Sequence, residues 1–219
     1  MKTFKEIGTE NKNDKVTYHR YDLVYPIFLE NKRNDELKIL EIGLGNGKDN
    51  TGNSTSLFKE YFPNSYLYVM DKDYEFQTKD YTVIKGDQSN QNDLIRVSNI
   101  IKETNLIIDD GSHHPMHQFN TFCYLFENLL KPDGYYIIED IECNYWDNKS
   151  SVYGYEIGHF NVIDFFKRQI DEVNSEFNHR KNPLKISFIT FAKNCIVIKK
   201  QSKEEEEINK RPYRFDSML

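Results

Sequence analysis

Lys38-Ile-Leu-Glu-Ile-Gly-Leu-Gly-Asn-Gly47 is an apolar strand running straight into a glycine-rich turn. Ile39, Leu40 and Ile42 supply a short buried strand. Gly43, Gly45 and Gly47 supply positions where the backbone takes unusual angles and a ligand approaches without meeting a Cβ. The spacing is not the dinucleotide fingerprint G-x-G-x-x-G, because Lys48 stands where a small residue is needed. On its own, such a run also fits an ordinary turn.

The next segments narrow the choice. Ser65-Tyr-Leu-Tyr-Val-Met-Asp71 is a second strand pattern closing on a carboxylate, where a Rossmann-like sheet grips ribose hydroxyls. A third strand near Tyr81 to Ile84 precedes Gly86-Asp87-Gln88-Ser89, and Leu94, Ile95, Val97, Ile100 and Ile101 mark a helix. Asn105-Leu-Ile-Ile-Asp-Asp110 is a fourth strand, followed by Gly111-Ser112-His113-His114 and a helix opened by Pro115. That helix is expected to bury Met116, Phe119, Cys123, Phe126 and Leu130. Tyr135-Tyr-Ile-Ile-Glu-Asp140 is a fifth strand. Residues 141–158 read as irregular and aromatic, and a helix is expected over 160–177. Leu184 to Phe191 and Cys195 to Lys199 form a hairpin. Alternation of strand and helix five times, then a helix and a hairpin, predicts an α/β three-layer sandwich with a mostly parallel sheet and one antiparallel strand.

Length and composition fit that plan. The 219 residues suit one domain over 1–200, with 1–36 as an N-terminal cap and 201–219 as a charged tail. Residues 1–14 read as loose, and 17–29 as one helix packed on the sheet or over a cofactor. A net charge of -6 argues against nucleic-acid partners. No apolar run reaches the length of a membrane span and no signal-peptide core is present, so the expectation is a soluble, cytoplasmic protein, with a homo-oligomer left open. Cys123, Cys143 and Cys195 match no zinc or redox spacing and read as free thiols.

The chemistry is expected at the carboxyl ends of the strands. Asp109 and Asp110 end one strand and Glu139 and Asp140 another. Carboxylates massed at adjacent strand ends require a cation, and all-oxygen ligands favour a hard divalent ion, unless the acids cap helices or pair with Lys or Arg. His113, in the loop after Asp110, is the candidate base; His114 and His117 read as structural. Ser54, Thr55 or Ser56 can cap the helix over 57–61, whose start would face a carboxylate.

The pattern E-x-G-x-G-x-G, the strand ending at Asp71 and the Gly86-Asp87-Gln88-Ser89 turn resemble the class I S-adenosylmethionine-dependent methyltransferases. D-D-G-S-H, then K-P-x-G-Y-Y-I-I-E-D and Y-W, resembles more narrowly the metal-dependent sugar O-methyltransferases of macrolide tailoring. The resemblance implies a Rossmann-like sheet of seven strands with the last inserted beside the fifth. For S-adenosylmethionine it implies a site built from Glu41, Gly43, Gly45, Gly47, Ser56, Asp71, Asp87, Gln88 and Asp109. For magnesium it implies Asp110, Glu139 and Asp140 as ligands, with His113 and Asp110 catalytic. The acceptor is then a small molecule or glycan, with Tyr145 and Trp146 stacking on its ring. Alternatives are a phenol or natural-product O-methyltransferase and a non-catalytic cofactor-binding subunit.

Overall fold

The computed structural model describes residues 1–45, 54–175 and 183–208. Strand β1 (Lys38–Ile42) forms where the apolar run demands it, and β2 (Tyr66–Asp71) and β5 (Thr104–Asp109) flank it in parallel. Outward from β2 lie β4 (Tyr81–Lys85) and a two-residue antiparallel strand β3 (Phe76–Gln77). Outward from β5 lie β6 (Leu130–Glu139), β10 (Cys195–Lys200) and β9 (Ile186–Ala192). The sheet therefore has eight strands in the order β3-β4-β2-β1-β5-β6-β10-β9, not seven. The extra strand is β3, too short for any periodicity to announce it. The expected insertion is present: β10 runs antiparallel between β6 and β9.

Side chains alternate across a strand, and this divides the core in two. Ile39, Leu106, Ile108, Tyr135, Ile137, Cys195 and Val197 face the N-terminal segment and helix α4 (Ser54–Tyr61). Leu40, Ile42, Ile107, Tyr136, Ile138 and Ile196 face the other layer. That layer contains α5 (Gln91–Ile101), α6 (Pro115–Asn128) and α7 (Val162–Lys167).

The N-terminal segment is ordered and compact, contrary to expectation. Helix α1 (Phe4–Glu10) has a full capping box between Thr3 and Glu6 and buries Phe4 and Ile7. Gly8 lets α2 (Asp14–Thr17) press against it, since a Cβ there would lie 2.1 Å from Val16 Cγ2. The single helix expected over 17–29 is broken into a 3₁₀ turn (Tyr21–Leu23) and α3 (Tyr25–Leu29), with Pro26 in the first turn of α3. Stacking of Phe4 on Tyr25 and edge contact with Tyr61 bind α1, α3 and α4 into one aromatic cluster.

Other boundaries also shift. Helix α6 ends at Asn128, so Leu130 begins β6. Its buried stripe is Gln118, Thr121, Phe122, Leu125 and Phe126, while Phe119 is half-buried against Phe160 and Phe165. The helix expected over 160–177 is split into α7 and α8 (Ile170–Val173). The aromatic segment contains a 3₁₀ turn (Ile141–Tyr145) and a small hairpin, β7 (Ser151–Val152) with β8 (Tyr155–Glu156). The tail is not simply solvated: α9 (Lys203–Ile208) docks on the last hairpin, where Ser187 donates to Glu205 and Lys185 pairs with Glu206 at 2.9 Å. The cysteines are free thiols. No helix among the described residues is long and apolar enough to cross a membrane.

Candidate active site

The carboxyl ends of β1, β2, β4, β5 and β6 open into one cleft of about 680 Å³, lined among others by Gly43, Gly45, Asp71, Asp87, Gln88, Asp110, His113 and Asp140. Gly43 sits at φ +95°, and a Cβ there would lie 2.3 Å from the Asp110 carbonyl oxygen. Only glycine lets the β1 and β5 turns approach so closely. Gly45, at φ +68°, has nothing near its missing Cβ among the described residues, so there its face of the cleft is bare backbone. Gly47 lies outside the described residues.

Two of the acids expected to meet the cofactor also brace the loops. Asp71 accepts from the backbone N–H of Leu44 (3.0 Å) and Asp73 (2.8 Å), tying the glycine turn to the end of β2. Asp87 accepts from Ser89 N and Oγ at 2.8 and 2.7 Å. Gln88 accepts from Ser112 N (2.9 Å) and donates to Asp109 Oδ1 (2.6 Å). Asp109 itself does not line the cleft. One residue before Asp110 it points to the opposite sheet face, where Tyr136 also donates to it at 3.0 Å and burial raises its carboxyl to about 7. Its place is beneath the loop, holding Gln88. Helix α4 is described from Ser54, so Ser56 stands inside its first turn, and Ser54 is the hydroxyl of this group at the cleft.

Glu41, Asp110 and Glu139 meet on the cap side of the sheet, and the cation that joins them is a lysine. Lys15 Nζ lies 2.5 Å from Glu139 Oε2, 2.6 Å from Asp110 Oδ2 and 3.8 Å from Glu41 Oε1, and its side chain is 2% exposed. Burial pushes the Glu41 carboxyl up to about 7, opposed by this ammonium and by the Ser54 hydroxyl. Burial pushes Glu139 up as well, again opposed by Lys15. Tyr25 donates to the other oxygen of Glu139, so both of its oxygens have protein partners. Sequence reasoning missed Lys15, Tyr21 and Tyr25. The one available signal was a lysine beside an otherwise apolar helical stretch, and it gave no distance to the strand ends.

Asp140 adopts φ +51°, a left-handed turn straight after β6. Its Oδ1 accepts from Tyr21 OH (2.7 Å) and Asn194 Nδ2 (3.0 Å) and lies 3.1 Å from His19 Nδ1. These contacts leave Asp110 Oδ1 and Asp140 Oδ2 without a protein partner among the described residues. His113, also left-handed at φ +54°, has a buried Nδ1 with no hydrogen bond. One ligand atom from each of Asp110, His113 and Asp140 falls within a 4.8 Å cluster. Asp110 and Asp140, each with one open oxygen, lie together beside this imidazole, and paired carboxylates of this kind fit a hard divalent cation. Glu139, expected as a ligand, stands behind this group.

The neighbouring histidines have structural work. His114 Nδ1 accepts from Met116 N at 3.2 Å, capping α6, and its Nε2 lies 2.8 Å from the Glu156 carbonyl, anchoring the β7–β8 hairpin. His117 lies 2.9 Å from Ser112 Oγ, and burial, aided by His114, pulls its imidazole down to about 4. The hairpin tip, Tyr153 (φ +48°) and Gly154 (φ +86°), has the two left-handed residues of a tight primed turn. It brings the Tyr153 ring to 5.7 Å from His113. Tyr153 and Tyr155 line the cleft; Tyr145 and Trp146, expected to stack on an acceptor, are exposed but not among the lining residues.

No family model matches the chain. It is 30% identical over 170 residues to the 8-demethyl-8-alpha-L-rhamnosyl tetracenomycin-C 2'-O-methyltransferase of Streptomyces olivaceus, covering 75% of this chain and 44% of that protein. It is 33% identical over 133 residues to the mycinamicin VI 2''-O-methyltransferase of Micromonospora griseorubida, covering 58% of this chain and 33% of that protein. The chain thus spans less than half the length of these relatives. Among solved structures, the MycE methyltransferase from the mycinamycin pathway, in complex with Mg and SAH, superposes with a TM-score of 0.79 at 24% identity, covering 93% of this chain and 56% of that one. The fold is that of the class I methyltransferases, and the relatives found are sugar O-methyltransferases.

Proposed function

We propose that this chain transfers a methyl group from S-adenosylmethionine to a hydroxyl of a sugar on a glycosylated small molecule, with magnesium at the Asp110–Asp140 corner. The observation that carries the reading is the junction of two half-sites in one cleft. Bare glycine backbone braced by Asp71 lies on one side, and two carboxylates with one open oxygen each lie beside an unpartnered imidazole on the other. The relatives' names point the same way.

When bound, the sulfonium supplies an electrophilic methyl and the divalent ion lowers the pKa of the acceptor hydroxyl. The chain's residues do the rest. Gly43 and Gly45 admit the donor, and Asp71, beside the glycine turn, is placed for ribose hydroxyls. Asp110 and Asp140 would hold the ion, with Glu139 paired to Lys15 behind them. His113 takes the hydroxyl proton as the new C–O bond forms and the C–S bond breaks, leaving S-adenosylhomocysteine. Tyr153 and Tyr155 offer the acceptor an aromatic wall, which suits the apolar face of a sugar ring.

The test is calorimetric titration with S-adenosylhomocysteine, then with MgCl2, for the native protein and Asp110→Asn. Donor-product binding that survives Asp110→Asn, with magnesium binding that does not, is expected. Absence of S-adenosylhomocysteine binding at millimolar concentration refutes the reading. Turnover of catechols but not of rhamnosides would instead assign a phenol acceptor.

A further inference from the structure

Lys15 is the most deeply buried cation of the described chain, and its setting is rigid. Asn13, fully buried, and Asp14 both accept from its backbone N–H, at 3.0 and 2.9 Å. The close contact of Gly8 with Val16 fixes the helix that carries it. Its stem runs past Phe58, with Nζ 5.9 Å from that ring, and its head meets carboxylates from three strand ends. One of these, Asp110, has its Oδ1 open and also belongs to the Asp110–His113–Asp140 group.

We propose that Lys15 is a tethered competitor of the divalent ion: its ammonium neutralises Asp110 and Glu139 when no ion is bound and weakens ion binding when one arrives. The inference rests on the ion reading given above. An ion held by Asp110 Oδ1 would sit a few ångström from an ammonium on Oδ2 of the same carboxylate. With the ammonium buried, like charges at that separation repel one another appreciably. Removing the lysine charge leaves the acids to the ion alone. The same lysine explains why the acids can coexist without metal: with Lys15 on one side, and Tyr21, Asn194 and His19 around Asp140, the ion-free cluster is already offset. Lys15 is in these terms a positioning residue with a second effect, the setting of ion affinity.

The experiment titrates MnCl2 into native protein, Lys15→Met, Lys72→Met and Asp110→Asn, by calorimetry and by loss of the free-manganese resonance signal. Lys72 also lines the cleft but is exposed, so it controls for the general field. Lys15→Met is expected to bind at least about ten-fold tighter than native protein, and Lys72→Met within about three-fold. Lys15→Gln, which keeps a polar head, replaces the methionine variant should that one fail to fold. Equal or weaker binding by both Lys15 variants, alongside Asp110-dependent binding by the native chain, overturns the inference and leaves the ion reading intact. An equal gain in Lys72→Met also overturns it. If neither native protein nor the Lys15 variants take up manganese in an Asp110-dependent way, both fail together.

Discussion

Tyr25→Phe removes one oxygen and no packing. The ring stays stacked on Phe4, 5.1 Å between centroids, and tilted against Phe58 at 5.8 Å. What disappears is the donor to Glu139, a carboxylate whose side chain is 1% exposed and whose only other partner among the described residues is Lys15. Burial and the Glu139 charge hold the Tyr25 phenol well above its ordinary pKa, so it is a donor at every pH the protein tolerates. A hydrogen bond to a buried charge contributes about 1.5–3 kcal/mol, because its loss strands a desolvated oxygen that water cannot reach. In a chain of this size each kcal/mol moves the melting temperature by about 2–4 °C, so Tyr25→Phe is expected to lower it by about 3–12 °C. Tyr61→Phe is the matched control. Its hydroxyl also donates to a carboxylate, but Glu30 is 55% exposed and regains water, so the loss is expected below about 1 kcal/mol. Urea unfolding followed by far-ultraviolet circular dichroism measures both. Equal costs, or a Tyr25→Phe cost under about 0.5 kcal/mol, would refute the view that this hydroxyl carries a buried charge.

Three further outcomes follow from the geometry. Gly43→Ala places a Cβ against the Asp110 carbonyl in a backbone conformation that disfavours it; a loss of about 2 kcal/mol or more and at least ten-fold weaker S-adenosylhomocysteine binding are expected by unfolding and calorimetry. His117 is neutral when folded down to about pH 4 but titrates near 6.5 when unfolded. Its contribution is therefore present above pH 6.5 and lost as pH falls from there towards 4. The full slope would cost about 2 kcal/mol at pH 5, which screening at a half-buried ring reduces to about 1 kcal/mol. His117→Asn should flatten the urea midpoint across that window, and an unchanged slope counts against the assignment. Tyr153→Ala is expected to raise the KM for a rhamnoside acceptor by about ten-fold with S-adenosylmethionine binding unaltered; a fall in donor affinity instead would place the hairpin on the wrong half-site.

The sequence was most legible where periodicity and chemistry coincide. Strands ending at Ile42, Asp71, Asp109 and Glu139 were readable because short β-branched runs stop at glycine or acid, and ligand sites gather at such ends. Strand alternation also separates Asp109 from Asp110, but one must know which face is the cleft, and that depends on which helices cover it. The N-terminal segment was illegible for a different reason. Its helices are too short for a clear stripe, and their stability comes from Phe4, Tyr21 and Tyr25 packing against α4 and the sheet, contacts between residues far apart in the chain. Lys15 was invisible as a site residue for the same cause: its partners are 26, 95 and 124 positions away. The β7–β8 hairpin hid because Tyr-Gly is an unusual pair for its turn.

Asp140 is gripped by Tyr21 from one end of the chain and by Asn194, in the turn of the final hairpin, from the other; the Tyr21 hydroxyl also touches the Asn194 carbonyl at 3.0 Å. During synthesis, then, five parallel strands can associate well before this corner exists. A nascent chain halted ahead of β9 would carry a bare β6 edge and an acid without its clasp, open to pairing with a neighbour. Assembly of this corner waits on synthesis of the 186–200 hairpin, so chains truncated ahead of it are expected to aggregate.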